Sequence, residues 1–262
     1  MEKYRYPGEQ TILSLTLVLI LAAALLTAGP SIFLIPLAVL VFVFISYQTN
    51  AAHHRQIIQR AYRVTADSLP ELNLLVKQCA DRLKAPRHKV YVLKRNELNA
   101  YTFGISDPRV IVIYSDLMRV MDADELRFII GHEQGHIVFD HAWLNTLLGG
   151  MAGVPVPYSA ALGLTFVFRW WNRTCEFSAD RAGLLACRDL KKATSALVKL
   201  AAGDVRTPEQ MERALKLVEA EDDSPINVLA STLSTHPMIV NRIKELRKFA
   251  ASSAYKKAVK TA

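Results

Sequence analysis

The strongest constraint on this chain is a pair of charge-free apolar runs near its start, TILSLTLVLILAAALLTA (11–28) and SIFLIPLAVLVFVFISY (31–47). Each has the length a helix needs to cross a hydrocarbon core. Only Gly29 and Pro30, a turn dipeptide, separate them. Two spans joined so tightly predict a transmembrane helical hairpin with both ends on one side, and Pro36 predicts a kink in the second. A cleaved signal peptide is the competing reading, because Lys3 and Arg5 precede the first run. The second run, which begins at once, and the proline just past the cleavage point argue against it.

Positive charge orients such a hairpin. Lys3 and Arg5 lie before the first run, Arg55, Arg60 and Arg63 follow the second, and the turn carries none. Residues 1–50 are therefore expected to form a tail and hairpin in the inner (plasma) membrane, with residues 51–262 as a catalytic domain on the cytoplasmic face. The net charge of +8 fits either a solvated basic surface or attraction to anionic membrane lipid. Nucleic acid is not an expected partner, since no aromatic platform interleaves the basic residues. Cys79, Cys175 and Cys187 form no CxxC pair and read as free thiols in a reducing compartment.

Beyond residue 50 the pattern predicts a mainly helical α+β domain with a small sheet. Residues 50–66 continue the second run as a helix, and SLPELNLLVKQCADRL opens another, with Pro70 early. KVYVLK (89–94), NAYTFG (99–104) and RVIVIY (109–114) read as short strands. Asp122 and Glu125 form a capping box that starts a helix running through GHEQGH.

On that helix His132 and His136 are four residues apart and project the same way, so two imidazoles can grip one ion. Glu133, one position along, reaches a water beside that ion as a general base, and Gly135 lets another segment approach closely. A catalytic zinc site needs a third protein ligand. CEFSAD (175–180) offers Glu176 as that ligand, and Asp180, four residues on, as acceptor for a ligand imidazole's free N–H. The plain alternative for this pair is two surface carboxylates on an ordinary helix. His141 falls off the metal-facing line, and His53, His54 and His88 read as surface groups.

In order, NAYTFG, HEQGH, CEFSAD and STHPMIVNRI (234–243) resemble the HtpX-like and CAAX prenyl protease family of membrane zinc endopeptidases, over roughly residues 65–250. The resemblance implies a zincin-like fold holding one Zn2+ on His132, His136 and Glu176, with Glu133 as catalytic base and Asp180 as the aspartate of the ExxxD pattern. It places Asn99 and Ala100 on an edge strand that pairs with extended substrate. His236 and Arg242 fall near the site as binders of a substrate carbonyl or oxyanion, a plain helix cap being the other reading of His236. Relatives carry two full spans between the second histidine and the glutamate. Here the apolar halves of 142–171 are too short to span comfortably, which predicts a re-entrant, interfacial or lid-like segment. Cys175 stands where relatives often have a basic residue.

These features together predict a membrane-anchored zinc endopeptidase acting on unfolded or membrane proteins. The alternatives are a processing protease for one dedicated membrane substrate and a tethered zinc-binding chaperone with little turnover.

Overall fold

A computed structural model of the chain describes residues 4–28, 34–105, 107–141, 159–202, 205, 207–220 and 239–261. The hairpin turn at Gly29–Pro30, residues 142–158 and His236 lie outside the described residues. The elements run α1 (Glu9–Ala28), α2 (Leu34–Arg60), β1 (Tyr62–Arg63), α3 (Pro70–Leu83), β2 (His88–Leu93), β3 (Ala100–Phe103), β4 (Arg109–Tyr114), α4 (Ser115–Val120) and α5 (Ala123–Val138). After these come α6 (Ser159–Cys187), α7 (Leu190–Ala202), α8 (Pro208–Ala220), α9 (Ile239–Ala251) and α10 (Ser253–Thr261).

The four strands form one mixed sheet in the order β1-β2-β4-β3. β2 and β4 are parallel, with Val90 opposite Ile111, whereas β1 and β3 add antiparallel at the two edges. One face, through Val90, Val92, Ile111 and Ile113, joins the main core with Val76, Cys79 and Leu83 of α3 and Phe128 and Ile130 of α5. The other face gathers Phe103, Val110 and Val112 against Ile57 and Ile58 at the end of α2. The helix expected over 50–66 stops at Arg60, and Tyr62 and Arg63 pair with Val92 and Tyr91 instead. An aromatic residue followed by Val64 and Thr65 suits a strand better than a last helical turn.

Both N-terminal apolar runs are helical, but among the described residues no helix is long and apolar enough to cross a membrane. The expected pair of spans is not supported, and both helices depart from simple spans. α2 runs on into the polar segment QTNAAHHRQIIQR, and α1 opens on Glu9, only 1% exposed and packed inside the domain. Leu15, Leu17, Val18 and Leu21 on α1, and Val41, Phe44 and Ile45 on α2, are exposed.

α5 and α6 form the most intimate helix pair. A Cβ on Gly131 would lie 2.3 Å from Cβ of Ala186, and one on Gly135 would lie 2.7 Å from Cβ of Ala182. The contacts run in opposite chain directions, so the helices are antiparallel and nearly in backbone contact. The close approach expected at Gly135 is made by α6, and Gly131 extends it by one turn. This approach sets residues 132–136 beside residues 176–180.

Candidate metal centre

α5 begins with the predicted box: the Asp122 carboxylate accepts from the amides of Asp124 and Glu125, and Glu125 accepts from the Asp122 amide. Glu125, itself buried, also receives Lys199 Nζ at 2.7 Å and Ser195 Oγ at 2.5 Å from α7. At the other end Arg109 of β4 donates to the Ile137 carbonyl at 2.9 Å and pairs with Asp140. Held at both ends, α5 presents His132, Glu133 and His136 to a cavity of about 390 Å³, lined also by Asn99, Ala100, Thr102, Glu176 and Arg242.

Nε2 of His132 and Nε2 of His136 lie 3.2 Å apart. Oε2 of Glu176 is 3.6 Å from the first and Oε1 is 3.5 Å from the second. Each imidazole makes its other hydrogen bond away from the cavity. His132 Nδ1 is 3.0 Å from Asp180 Oδ1, and an ionised carboxylate only accepts, so that nitrogen carries the proton. His136 Nδ1 is 3.0 Å from His141 Nδ1, and His141 Nε2 is 3.0 Å from Glu9 Oε1. The Glu9 carboxylate only accepts, so His141 Nε2 carries a proton toward it, and burial opposes a second proton on the ring. With its proton on Nε2 toward Glu9, its Nδ1 accepts from His136. The two Nε2 atoms therefore face each other across 3.2 Å. Against its burial, Glu176 and Glu133 raise His136, so the pocket between these groups favours positive charge, which a proton or a metal cation can supply. Ligands about 2.0–2.1 Å from a tetrahedral ion sit roughly 3.3 Å from one another, so this donor set fits a metal.

A cationic bracket surrounds the carboxylates. Arg242 reaches Asp180 through Nε at 2.8 Å and Nη2 at 2.6 Å, and Glu176 through Nη1 at 3.2 Å. Burial alone would raise Glu176, but Arg242 and the neighbouring imidazoles hold its carboxyl well below the usual range. Asp180 is lowered in the same way, against its burial, chiefly by Arg242. The two carboxylates thus share one guanidinium, which also lines the cavity. On the opposite wall Thr102 Oγ1 donates to Glu133 Oε2 at 2.7 Å and lies 3.1 Å from the Glu133 carbonyl.

Residues 66–167 and 152–250 match the model of peptidase family M48. The chain belongs to peptidase family M48. Membership implies a metal, and among the described residues two groups, His132 with His136 and Glu176, and Glu9 with His141 and Cys175, have donors close enough to hold one; the first lines the cavity. It is 32% identical over 215 residues to the plastoglobule-localized metallopeptidase 48 of Arabidopsis thaliana, covering 76% of this chain and 62% of that protein. It is 25% identical over 270 residues to the protease HtpX homolog of Thermococcus kodakarensis, covering 88% and 91%. The crystal structure of S. mikatae Ste24p shares the fold, with a TM-score of 0.54 at 18% identity, covering 90% of this chain and 62% of that one. The chain thus spans under two thirds of the plant relative and of Ste24p.

Asn99, Ala100, His132, Glu133, His136, Glu176 and Arg242 all line one cavity, and Asp180 stands directly behind it. Sequence reasoning passed over Thr102 and Glu9. Strand alternation puts Thr102 on the same face as Ala100, which was a usable signal; nothing local ties Glu9 to a histidine 132 residues away. Two histidines read as surface groups are not free of the fold. His54 stacks on Phe103 at 3.7 Å, and His88 lies 3.1 Å from Gln134 of α5.

Proposed function

We propose that this M48 member is a zinc-dependent endopeptidase that works at a membrane surface. The observation that carries the reading is the pair of imidazole Nε2 atoms 3.2 Å apart, closed by Glu176 at 3.5–3.6 Å and flanked by Glu133. His132, His136 and Glu176 would hold the ion. Bound there, zinc supplies Lewis acidity toward a peptide carbonyl and makes a water acidic near neutral pH. Glu133 accepts the proton of the attacking water and returns it to the leaving nitrogen. The Thr102 hydroxyl fixes which carboxylate oxygen of Glu133 is free for that traffic. Arg242 acts through Glu176 and Asp180, keeping both ionised and oriented, and its place in the cavity wall also supports the expected contact with a substrate carbonyl or oxyanion.

Substrate is held by the sheet edge. The Tyr114 amide donates to the Asn99 carbonyl at 2.9 Å, and Ala100 lies opposite Ile113. In an antiparallel pair the inward-bonding residues alternate, so Asn99, Tyr101 and Phe103 bond to β4. The main-chain groups of Ala100 and Thr102 then point outward beside the site. An extended peptide adds there as a further strand, which favours unfolded segments over any strict sequence. Of the expected Asn99–Ala100 pair, Ala100 makes the main-chain contact and Asn99 lines the wall.

The exposed apolar side chains of α1 and α2 support attachment to lipid, and on this reading Arg55, Arg60 and Arg63 would face the cytoplasmic side. Clients on this reading are unfolded or misassembled membrane proteins. Glu133→Gln tests the enzyme claim: zinc content should stay at one per chain while casein cleavage disappears. Unchanged function in that variant would favour a binding or chaperone module.

A further inference from the structure

Residues 4–9, which lead into and open the first apolar helix, are built into the metal centre's surroundings. Tyr4 packs its ring on Phe139 with centroids 5.0 Å apart, and the Tyr6 amide donates to Ser178 Oγ at 2.7 Å. Arg181 of α6 donates to the Arg5 carbonyl at 3.0 Å, and Arg5 donates to the Phe139 carbonyl at 3.3 Å. This docking delivers Glu9, 1% exposed, to His141, also 1% exposed. Both Glu9 oxygens are used: Oε1 faces Arg5 and His141, and Oε2 accepts from Ser178. His141 is confined between Phe139 and Trp171, and its amide is bonded to the His136 carbonyl at 2.9 Å. The ring can therefore choose only which nitrogen carries its proton, and Glu9 makes that choice.

We propose that Glu9 and His141 are positioning residues for the metal centre, so that docking of the N-terminal segment completes the site. Glu9 holds the His141 proton on Nε2. His141 then offers a lone pair at Nδ1, receives the Nδ1–H of His136, and leaves His136 Nε2 free for the ion. Without Glu9, His141 can carry its proton on Nδ1, where it opposes the proton of His136 across 3.0 Å. The inference rests on the zinc reading above, and it makes metal affinity depend on a segment more than a hundred residues from the ligands.

The test uses the full chain in detergent, with zinc affinity measured by competition against a chromophoric chelator and the visible spectrum of the cobalt form recorded beside it. Glu9→Gln and His141→Ala should each bind zinc roughly 10- to 100-fold more weakly, with an altered cobalt spectrum. At saturating zinc the loss should fall on kcat, with KM unchanged. His141→Asn, whose side-chain oxygen can sit where Nδ1 sits, should restore most of the affinity lost in His141→Ala. In that background Glu9→Gln should cost nothing further. Thermal melting of the metal-free proteins separates a folding defect from a site defect. Unchanged affinity in a folded Glu9→Gln would overturn the proposal, as would an equal loss from Glu9→Gln with and without His141→Asn. Two zinc ions per wild-type chain, one lost in Cys175→Ser, would also overturn it, by making Glu9, His141 and Cys175 a second metal site. Wild type with no stoichiometric zinc would sink the zinc reading itself, a result distinct from all of these.

Discussion

His132 and His136 stand one turn apart on one helix, yet they are secured by opposite means. Behind His132 lies charge: Asp180, held by two guanidinium nitrogens of Arg242, which also touches Glu176. Behind His136 lies a neutral imidazole whose carboxylate partner arrives from the chain's first helix. The first support comes from α6 and α9, elements of the core, and breaks only with the fold. The second comes through residues 4–9, which lead into and open an exposed apolar helix. One ligand is therefore tied to overall stability and the other to how the N-terminal segment is seated.

The largest test of this asymmetry is Arg242→Ala. Removing the guanidinium leaves Asp180 and Glu176 buried without their cation, and breaking a buried pair in this way costs about 3–5 kcal/mol. Chemical unfolding of the metal-free chain should show that loss, and added zinc should recover part of it by replacing the missing positive charge. Glu9→Gln, on the His136 side, should leave metal-free stability much closer to wild type. Equal losses from the two variants would erase the distinction.

Next in size is Gly131→Ala, which attacks both supports at once. Its Cβ would sit 2.3 Å from Cβ of Ala186 and 3.1 Å from the Gly183 backbone, with no flexible side chain to yield. Overpacking of this kind costs typically 1–3 kcal/mol. Separating α5 from α6 also draws Glu176 and Asp180 away from both histidines, so zinc affinity and stability should fall together, unlike in Glu9→Gln.

How much of this was readable in the chain follows the same division. The His132, Glu133 and His136 pattern, the Asp122 cap and the Glu176–Asp180 spacing are local periodicities, and a helix turns such spacing into a shared face without help from the rest of the molecule. The three strands near 89, 100 and 109 were legible for the same reason. Glu9 and Thr102 were not, because their partners are chosen by how helices and the sheet pack. The transmembrane hairpin fared differently. Apolar run length was a sound signal for two helices, but the expected spans are not supported among the described residues, and run length does not register that Glu9 docks inward or that α2 ends against the sheet.

Thr102→Val sharpens the comparison from the catalytic side, since Thr102 touches neither ligand histidine. It removes the hydroxyl that donates to Glu133 at 2.7 Å and keeps the shape of the side chain. A hydrogen bond to a charged group contributes about 1.5–3 kcal/mol, and part of that appearing in the transition state predicts kcat lower by roughly tenfold. Zinc affinity should not change, and Thr102→Ser should regain most of the rate. A drop in zinc affinity would show that β3 helps to hold the ligands as well as the base.

The smallest effect is expected at Asp122, which caps α5 and so bears equally on both histidines. Asp122→Ala should cost about 1 kcal/mol and leave zinc affinity nearly intact, because the site end of α5 is held separately by Arg109. The cap also has a pH signature. Partial burial opposes it, but the hydrogen bond from Lys192 and those from the Glu125 and Asp124 amides lower the Asp122 carboxyl below its ordinary value. A carboxylate lowered on folding contributes stability that is present above the unfolded value and lost as pH falls through the folded one. The difference in unfolding free energy between wild type and Asp122→Ala should therefore be constant near neutrality and shrink once pH drops below about 4. A difference that persisted undiminished well into acid would mean that the cap acts through its shape, not its charge.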